Sequence, residues 1–259
     1  RGKRMKGNAG TPEVDPVTVE VLRHRLYAIT EQIEANIIRT AYSPLIYAYK
    51  DFAVGMVGAT GELICMARGG IPLFCSTLLS TAVQDGIELY GPGGIKEGDF
   101  IICNYSGVIG QHLNNVAIYV PCFFEGELMM FAIVRAHWVD VGGMSTGFGA
   151  GPKVADPWQE GLQLDQIKIH EAGVPDEKIL RVIRDNIRFP ENAMGDLRSQ
   201  LGACALAERR RAAERAEGLV VAWVELDVVA REAGEVELAV DYVTPNALWR
   251  PLHAARLLD

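Results

Sequence analysis

The amino-acid sequence predicts a mixed α/β fold in which sheet hairpins pack against long helices. Apolar residues recur at helical spacing from Leu22 to Ile37, which indicates a long amphipathic helix. Two stretches, 51–66 and 116–134, each contain two strand-like segments around a glycine-containing turn, which is the pattern of a β-hairpin. With 49% hydrophobic and 22% charged residues, the composition is typical of a globular protein.

The first half of the chain alternates helices with short strands. Asp15 and Pro16 form a helix start, with a capping carboxylate followed by proline at the first helical position. The segment from Tyr42 to Pro44 ends that helix. In chain order, we expect a helix over 16–40, strands over 51–57 and 62–66, a helix over 76–89 and a buried strand over 99–103.

The second half begins with a long hairpin that turns at Glu125 and Gly126. Its strands are predicted over 116–120 and 128–134, and a glycine-rich loop over 144–152 is expected to cover the end of the sheet. The elements expected after this loop are an extended segment over 161–169, helices over 175–187 and from Pro190 to near Arg215, and strand-like segments over 219–229 and 236–243.

Charge and cysteine usage limit the classes of partner and compartment. The net charge of −8 argues against nucleic acid or an anionic membrane as a partner, because both require a basic surface. No apolar run approaches the roughly 20 residues that a membrane-spanning helix needs. The five cysteines are odd in number and contain no Cys-x-x-Cys pair, which favours reduced thiols and a cytoplasmic location.

Two histidines, His112 and His137, flank the long hairpin. A hairpin returns the chain to its starting point, so the two imidazoles are expected to face each other at one end of the sheet. Asn115 and Asp140 each follow one histidine by three residues, and imidazole together with oxygen donors is typical of a divalent metal site. The alternative, one histidine packed in the core and the other solvated, is about equally compatible with the sequence.

Glycine-rich residues after the hairpin offer two further interpretations. The segment Gly143-Met144-Ser145-Thr146-Gly147 has the spacing of a nucleophile elbow, which would make the chain a serine hydrolase. That motif needs a helix directly after it, and the glycines and proline that follow disfavour one. The glycines at 147, 149 and 151 are compatible with a phosphate loop, although a flexible lid is the favoured interpretation.

Five short motifs follow one another in the first 200 residues. They are Asp15-Pro16-Val17-Thr18-Val19-Glu20-Val21, Arg39-Thr40-Ala41-Tyr42-Ser43-Pro44, Asp51-Phe52, the segment 136–143 and Gly195-Asp196-Leu197-Arg198-Ser199-Gln200. Together they resemble the hydantoinase B family, which includes the B-type chain of ATP-dependent N-methylhydantoinases, the C-terminal part of 5-oxoprolinase and a large subunit of acetone and acetophenone carboxylases.

The resemblance implies roles for individual residues. His112 and His137 match the family's metal histidines, Asp51 matches the aspartate that we expect as a third ligand, and Asn115 stands at a ligand position that is usually aspartate. Asp140 is expected to orient an imidazole N–H or to act as a general base. The expected metal is zinc, manganese or iron. With two neutral imidazoles and Asp51, a divalent ion would leave a net charge of +1, which strengthens a Lewis acid but weakens ion retention.

The resemblance also implies a domain organisation. We expect a disordered basic tail over 1–14, a hydantoinase B-like metal-site domain over 15–218 and a strand-rich C-terminal segment over 219–259. The last segment is compatible with the remnant of a longer domain. The chain is shorter than expected for this family. Two explanations are open, a shortened subunit or segments missing from the sequence.

The implied function is that of the metal-site subunit of an ATP-dependent ketone carboxylase acting on a substrate phosphorylated by a partner. ATP would bind to a hydantoinase A-like subunit in an obligate hetero-oligomer, and the small-molecule substrates would be a ketone and bicarbonate. Asn115 and an apolar or aromatic wall at Trp138 favour carboxylation slightly. The alternatives are a subunit of an ATP-dependent cyclic amide hydrolase and a non-catalytic structural subunit of such a complex.

Overall fold

The fold is built around one seven-stranded sheet whose neighbouring strands are all antiparallel. The computed structural model describes residues 15–110, 112–147 and 154–216. The strands are β1 (Phe52–Gly58), β2 (Leu63–Met66), β3 (Phe100–Cys103), β4 (Asn115–Phe124), β5 (Glu127–His137), β6 (Ile167–Glu171) and β7 (Val174–Pro175). Their order across the sheet is β2-β1-β5-β4-β3-β6-β7.

The described helices start at proline or at a side-chain cap in most cases. They are α1 (Pro16–Thr40), α2 (Pro44–Tyr47), α3 (Pro72–Tyr90), α4 (Ser106–Ile109), α5 (Pro157–Glu160), α6 (Glu177–Asp185) and α7 (Pro190–Ala216). The Ser43 hydroxyl accepts from Leu45 N at 3.2 Å, and Asp176 caps α6 by accepting from Lys178 N and Ile179 N. These bonds satisfy backbone donors that have no partner inside the helix.

The sheet is buried on both faces, because successive side chains of a strand point to opposite sides. Even-numbered residues of the central strands, such as Val54, Ile118 and Val134, pack in a core with α1, α6 and α7. Odd-numbered residues, such as Ala53, Tyr119 and Ile133, pack in a second core with α3. Helices on the two faces therefore enclose strands β1, β5 and β4, and the predicted mixed α/β class is confirmed.

Element bounds agree best with prediction where the sequence carries a strong start signal. The helix predicted over 16–40 is α1, and the helix predicted from Pro190 is α7. Both predicted hairpins are present, and β4 and β5 extend beyond their predicted ends. Helix α3 begins at Pro72 rather than at residue 76. Within the segment predicted to be extended over 161–169, strand β6 begins at Ile167.

Several predictions fall on residues outside the described ranges. These are the basic tail over 1–14, most of the loop over 144–152, and the strand-like segments over 219–229 and 236–243. Within the described ranges, no helix is long and apolar enough to cross a membrane. Cys65, Cys103, Cys122 and Cys204 are buried and are not in disulfides, in agreement with the prediction of reduced thiols.

Candidate metal centre

Strand pairing brings the candidate ligands to one end of the sheet. Asn115 on β4 lies directly opposite His137 on β5, and the backbone N–H of His137 donates to Asp51 O at 3.0 Å. These three residues therefore lie side by side on adjacent strand ends. All three have odd residue numbers, as do the strand residues that pack with α3. They therefore lie on the face of the sheet that α3 covers.

The His137 side chain is buried, and its two ring nitrogens have different surroundings. Nε2 lies 2.7 Å from the carbonyl oxygen of Gly147. A carbonyl oxygen only accepts, so Nε2 carries a proton and donates it to Gly147 O. Nδ1 lies 3.4 Å from Asp51 Oδ2. A metal-binding histidine commonly donates its second ring N–H to a backbone carbonyl, which leaves the other nitrogen as the ligand.

The His112 ring lies against His137, with the two ring centroids 4.8 Å apart and the rings edge to face. The predicted convergence of the two histidines is therefore confirmed. His112 Nε2 is 3.4 Å from Asn115 Nδ2, and the buried Nδ1 has no hydrogen-bond partner among the described residues. Burial lowers the pKa of His112 to about 4, with further lowering by the neighbouring His137 and Arg135, so the ring is neutral at pH 7.

A hydrogen-bond network fixes the turn that carries His112. Leu113 N donates to Glu160 Oε2 at 2.8 Å, and Leu113 O accepts from Asn104 Nδ2 at 2.8 Å. Asn104 is fully buried and also bonds Leu162 O and Leu164 N, so its amide joins this turn to the segment before β6. The position of His112 is therefore set by side chains that are distant from it in sequence.

Trp138 is part of the core and does not wall a pocket. Its side chain is fully buried in the core that faces α7, and its indole N–H donates to Gln200 Oε1 at 2.8 Å. As an even-numbered residue, Trp138 lies on the opposite sheet face from His137. Core packing, which is the favoured interpretation of Trp138 from the sequence, is therefore confirmed, and the aromatic wall that would have favoured carboxylation is not formed by this side chain.

Asp140 is held in the loop that follows β5. Its carboxylate accepts from Gly142 N at 2.9 Å, from Arg188 Nη1 at 3.0 Å and from the backbone N–H of Arg188. Among the described residues, none of its hydrogen bonds goes to an imidazole. The predicted direct orientation of an imidazole N–H is therefore not what the structure shows, and the general-base role stays a prediction.

Arg135 is a buried cation that the sequence interpretation missed. It is 1% exposed, lies two residues before His137 on the same sheet face, and is paired across the sheet with the small residues Ala53 and Ala117. A single charged residue after the apolar run Leu128–Val134, two positions before a histidine, was the available signal. Its charge makes this end of the sheet more positive than the predicted ligands alone.

The donor set is suited to a divalent cation, although it is not preassembled. Among residues 15–110, 112–147 and 154–216, no three His, Cys, Asp or Glu side chains already form a metal-holding group. His137 Nδ1 and Asp51 Oδ2 are nevertheless close enough to be ligands of one ion, since each ligand lies about 2.0–2.2 Å from zinc. The His112 ring packs against His137, and its buried Nδ1 has no hydrogen-bond partner among the described residues.

The comparison with protein families matches the hydantoinase B/oxoprolinase model over residues 15–217. This range contains every ligand candidate described above and most of the chain. The chain belongs to the hydantoinase B/oxoprolinase family. The family resemblance seen in the sequence motifs is therefore confirmed.

Individual relatives of this hydantoinase B/oxoprolinase chain include enzymes with different reactions. The B-type chain of a putative D-/L-hydantoinase from a Pseudomonas strain is 26% identical over 204 residues, covering 76% of this chain and 34% of the relative. The crystal structure of the ATP-dependent caprolactamase from Pseudomonas jessenii matches with a TM-score of 0.68 at 25% identity, over 80% of this chain and 35% of that one.

The nucleotide-free structure of an acetone carboxylase matches with a TM-score of 0.69 at 19% identity, over 80% of this chain and 27% of that one, which shows a shared fold. The chain spans about a third of the length of the first curated relatives that it matches. The similarity thus covers one part of larger proteins.

Proposed function

We propose that this chain is the metal-site part of an ATP-dependent ketone carboxylase that acts on a substrate phosphorylated by a partner subunit. The observation that carries the proposal is the side-by-side placement of His112, His137 and Asp51 at one end of the sheet, with the buried Arg135 on the same face. Carboxylation joins an enolate to bicarbonate or to a species derived from bicarbonate. The enolate and bicarbonate are both anions. A positive, largely buried site stabilises such species.

The charge of the site supports this choice of reaction. With His112 and His137 neutral and Asp51 ionised, a divalent ion would leave +1, and Arg135 adds a further positive charge. Asn115 keeps the site positive, because a carboxylate at this position would cancel one charge. Trp138 gives carboxylation no support, since its side chain faces the other core.

The ligands in this proposal are His112 Nδ1 or Nε2, His137 Nδ1 and Asp51 Oδ2, with Asn115 as a fourth oxygen donor. When bound, zinc, manganese or iron would supply a Lewis acid for a carbonyl or enolate oxygen. The protein's own contribution is to keep the His112 imidazole neutral, by lowering its pKa through burial, and to shield both imidazoles partly from water. Arg135 would attract the anionic substrate to the same end of the sheet.

Cyclic amide hydrolysis is the second candidate reaction, favoured by the similarity at 25% identity to an ATP-dependent caprolactamase. In that case, the same ion would activate water and polarise the amide carbonyl. Both proposed reactions need ATP. We therefore propose a hydantoinase A-like ATP-binding subunit as an obligate partner in the cytoplasm, in line with a relative that is named as one subunit of a hydantoinase.

The test is metal and activity analysis of the complex purified with its ATP-binding partner. Wild-type complex is expected to retain about one zinc, manganese or iron ion per chain, while His112→Ala and His137→Ala each lower the metal content at least tenfold and abolish ATP-dependent turnover. His24→Ala is the matched control, because this histidine is exposed on α1 and bonds Glu20. Metal content and turnover unchanged in both site variants would refute the assignment.

Substrate choice separates the two reactions. The same complexes are incubated with ATP and either a ketone plus labelled bicarbonate or a cyclic amide. Fixation of the label supports carboxylation, and ring opening without fixation supports hydrolysis. Loss of metal without any change in the complex's turnover would instead identify this chain as a non-catalytic subunit.

A further inference from the structure

The loop after β5, residues 139–147, is held to the corner between α6 and α7 by one arginine. Arg188 Nη1 donates to Asp140 Oδ1 at 3.0 Å, its backbone N–H donates to the other carboxylate oxygen, and Nη2 donates to Gly143 O. The Asp140 side chain is fully buried, so this ion pair is shielded on one side from water. The planar guanidinium of Arg188 thus donates to the loop at two residues, Asp140 and Gly143.

Two glycines allow the loop to approach its neighbours this closely. A Cβ atom at Gly142 would lie 2.3 Å from Asn186 O, and one at Gly143 would lie 1.9 Å from Glu160 O. Gly142 also has a φ of 88°, which other residues rarely adopt. The backbone of the loop is therefore packed directly against two other backbone segments.

The far end of the same loop contacts the candidate metal centre. Gly147 N donates to Val139 O at 2.7 Å, which closes the loop, and Gly147 O accepts from His137 Nε2 at 2.7 Å. Because Nε2 donates to this carbonyl, the position of the carbonyl sets the orientation of the His137 ring. Whatever fixes the loop therefore also fixes the nitrogen that faces Asp51.

We infer that Arg188 and Asp140 are positioning residues that hold the His137 imidazole in place through its Nε2–H hydrogen bond to the Gly147 carbonyl. Arg188 fixes Asp140 and Gly143, these two fix the loop, and the loop presents Gly147 O to the imidazole. His137 Nδ1 is then left facing Asp51 Oδ2 at 3.4 Å. The predicted effect on metal affinity rests on the proposed function. The hydrogen bond from His137 Nε2 to Gly147 O does not depend on it.

The test reads the His137 ring directly by NMR of the full chain labelled with 15N-histidine, without added metal. In the wild type, the Nε2–H proton of His137 is expected to exchange slowly with water, and long-range 1H–15N correlations are expected to assign that proton to Nε2. Arg188→Ala is expected to raise the exchange rate of that proton at least tenfold. Unchanged exchange in a folded Arg188→Ala chain would overturn the inference.

Arg184→Ala is the matched control, because Arg184 lies in the same region, pairs only with the exposed Asp185 among the described residues, and does not contact the loop. It is expected to keep the wild-type exchange rate. Should Arg188→Ala fail to fold, Arg188→Lys keeps the positive charge beside Asp140 but has no planar second donor for Gly143 O. An exchange rate above the wild-type value then supports the inference, and a wild-type rate overturns it.

A second readout connects the loop to the ion. Zinc affinity, measured by competition with a chromogenic chelator, is expected to fall 10–100-fold in Arg188→Ala, as is usual for loss of a group that orients a ligand. If the wild-type chain binds no zinc while the exchange result holds, the proposed function fails and the positioning role stands. If zinc binds equally to wild type and variant and the exchange is unchanged, the positioning role fails alone.

Discussion

Asp196 on α7 is expected to make folding stability depend on pH in an unusual direction. Its Oδ1 accepts from Tyr42 N at 2.7 Å and Ser43 N at 3.0 Å, which joins α7 to the corner between α1 and α2. Oδ2 is buried and has no partner among the described residues. Burial raises the pKa of Asp196 from 3.8 to about 6, because these two backbone bonds only partly offset the loss of hydration.

The magnitude follows from the difference between the folded and unfolded pKa. Between about pH 4 and pH 6 the folded chain holds a proton that the unfolded chain has released, so stability falls as pH rises through this window. A shift of this size corresponds to about 3 kcal/mol in the free energy of unfolding. Asp196→Asn keeps an oxygen for both backbone donors and removes the ionisable proton, so it is expected to lack this dependence.

The assay is urea denaturation of wild type and Asp196→Asn at pH 4, 5, 6 and 7. The free energy of unfolding of the wild type relative to the variant is expected to fall by roughly 2 kcal/mol from pH 4 to pH 7, because the unfolded carboxyl is already partly ionised at pH 4. Asp185→Asn, an exposed change on α6, controls for the loss of one carboxylate. A difference between wild type and Asp196→Asn that is constant across the range, or that grows in favour of wild type, would refute the reasoning.

Three further variants test the packing around the site by chemical denaturation. Gln200→Ala leaves the buried indole N–H of Trp138 without its acceptor and is expected to lower the free energy of unfolding by about 2–4 kcal/mol. Gly143→Ala places a Cβ against Glu160 O and is expected to lower it by about 1–3 kcal/mol. Gly202→Ala, with nothing within 4 Å of the added carbon on α7, is expected to raise it by about 0.5–1 kcal/mol. Equal changes in the free energy of unfolding for all three variants would contradict the contacts described.

The sheet and the convergence of the histidines could be predicted because both follow from local sequence patterns. The strands flanking Glu125 and Gly126 are apolar and continuous, and a tight turn brings their ends together. Once that hairpin forms, His137 lies opposite Asn115, and His112 is only three residues further. The pairing of β1 with β5, which brings in Asp51, needed the family resemblance, because no local pattern relates strands that are so far apart in the chain.

Other parts of the site depend on tertiary packing that the sequence does not show. Gly147 acts through its backbone carbonyl, which every residue has. Arg188 lies in the short connection between α6 and α7, where an arginine resembles an ordinary surface residue. The face to which Trp138 points depends on the register of β5 and on Gln200 from α7. Asp140 illustrates the same limit, since the family resemblance implied an imidazole partner and its carboxylate instead accepts from the Arg188 side chain.

The amide of Gln200 has a consequence for the order of assembly. Its Nε2 donates to Val116 O and Val134 O, one on each of the adjacent strands β4 and β5, both at 3.0 Å. A slip of one residue between these strands would move one of the two carbonyls away and turn every side chain to the opposite face. Helix α7 can therefore pack fully only against a hairpin in the correct register. The same register places His137 opposite Asn115.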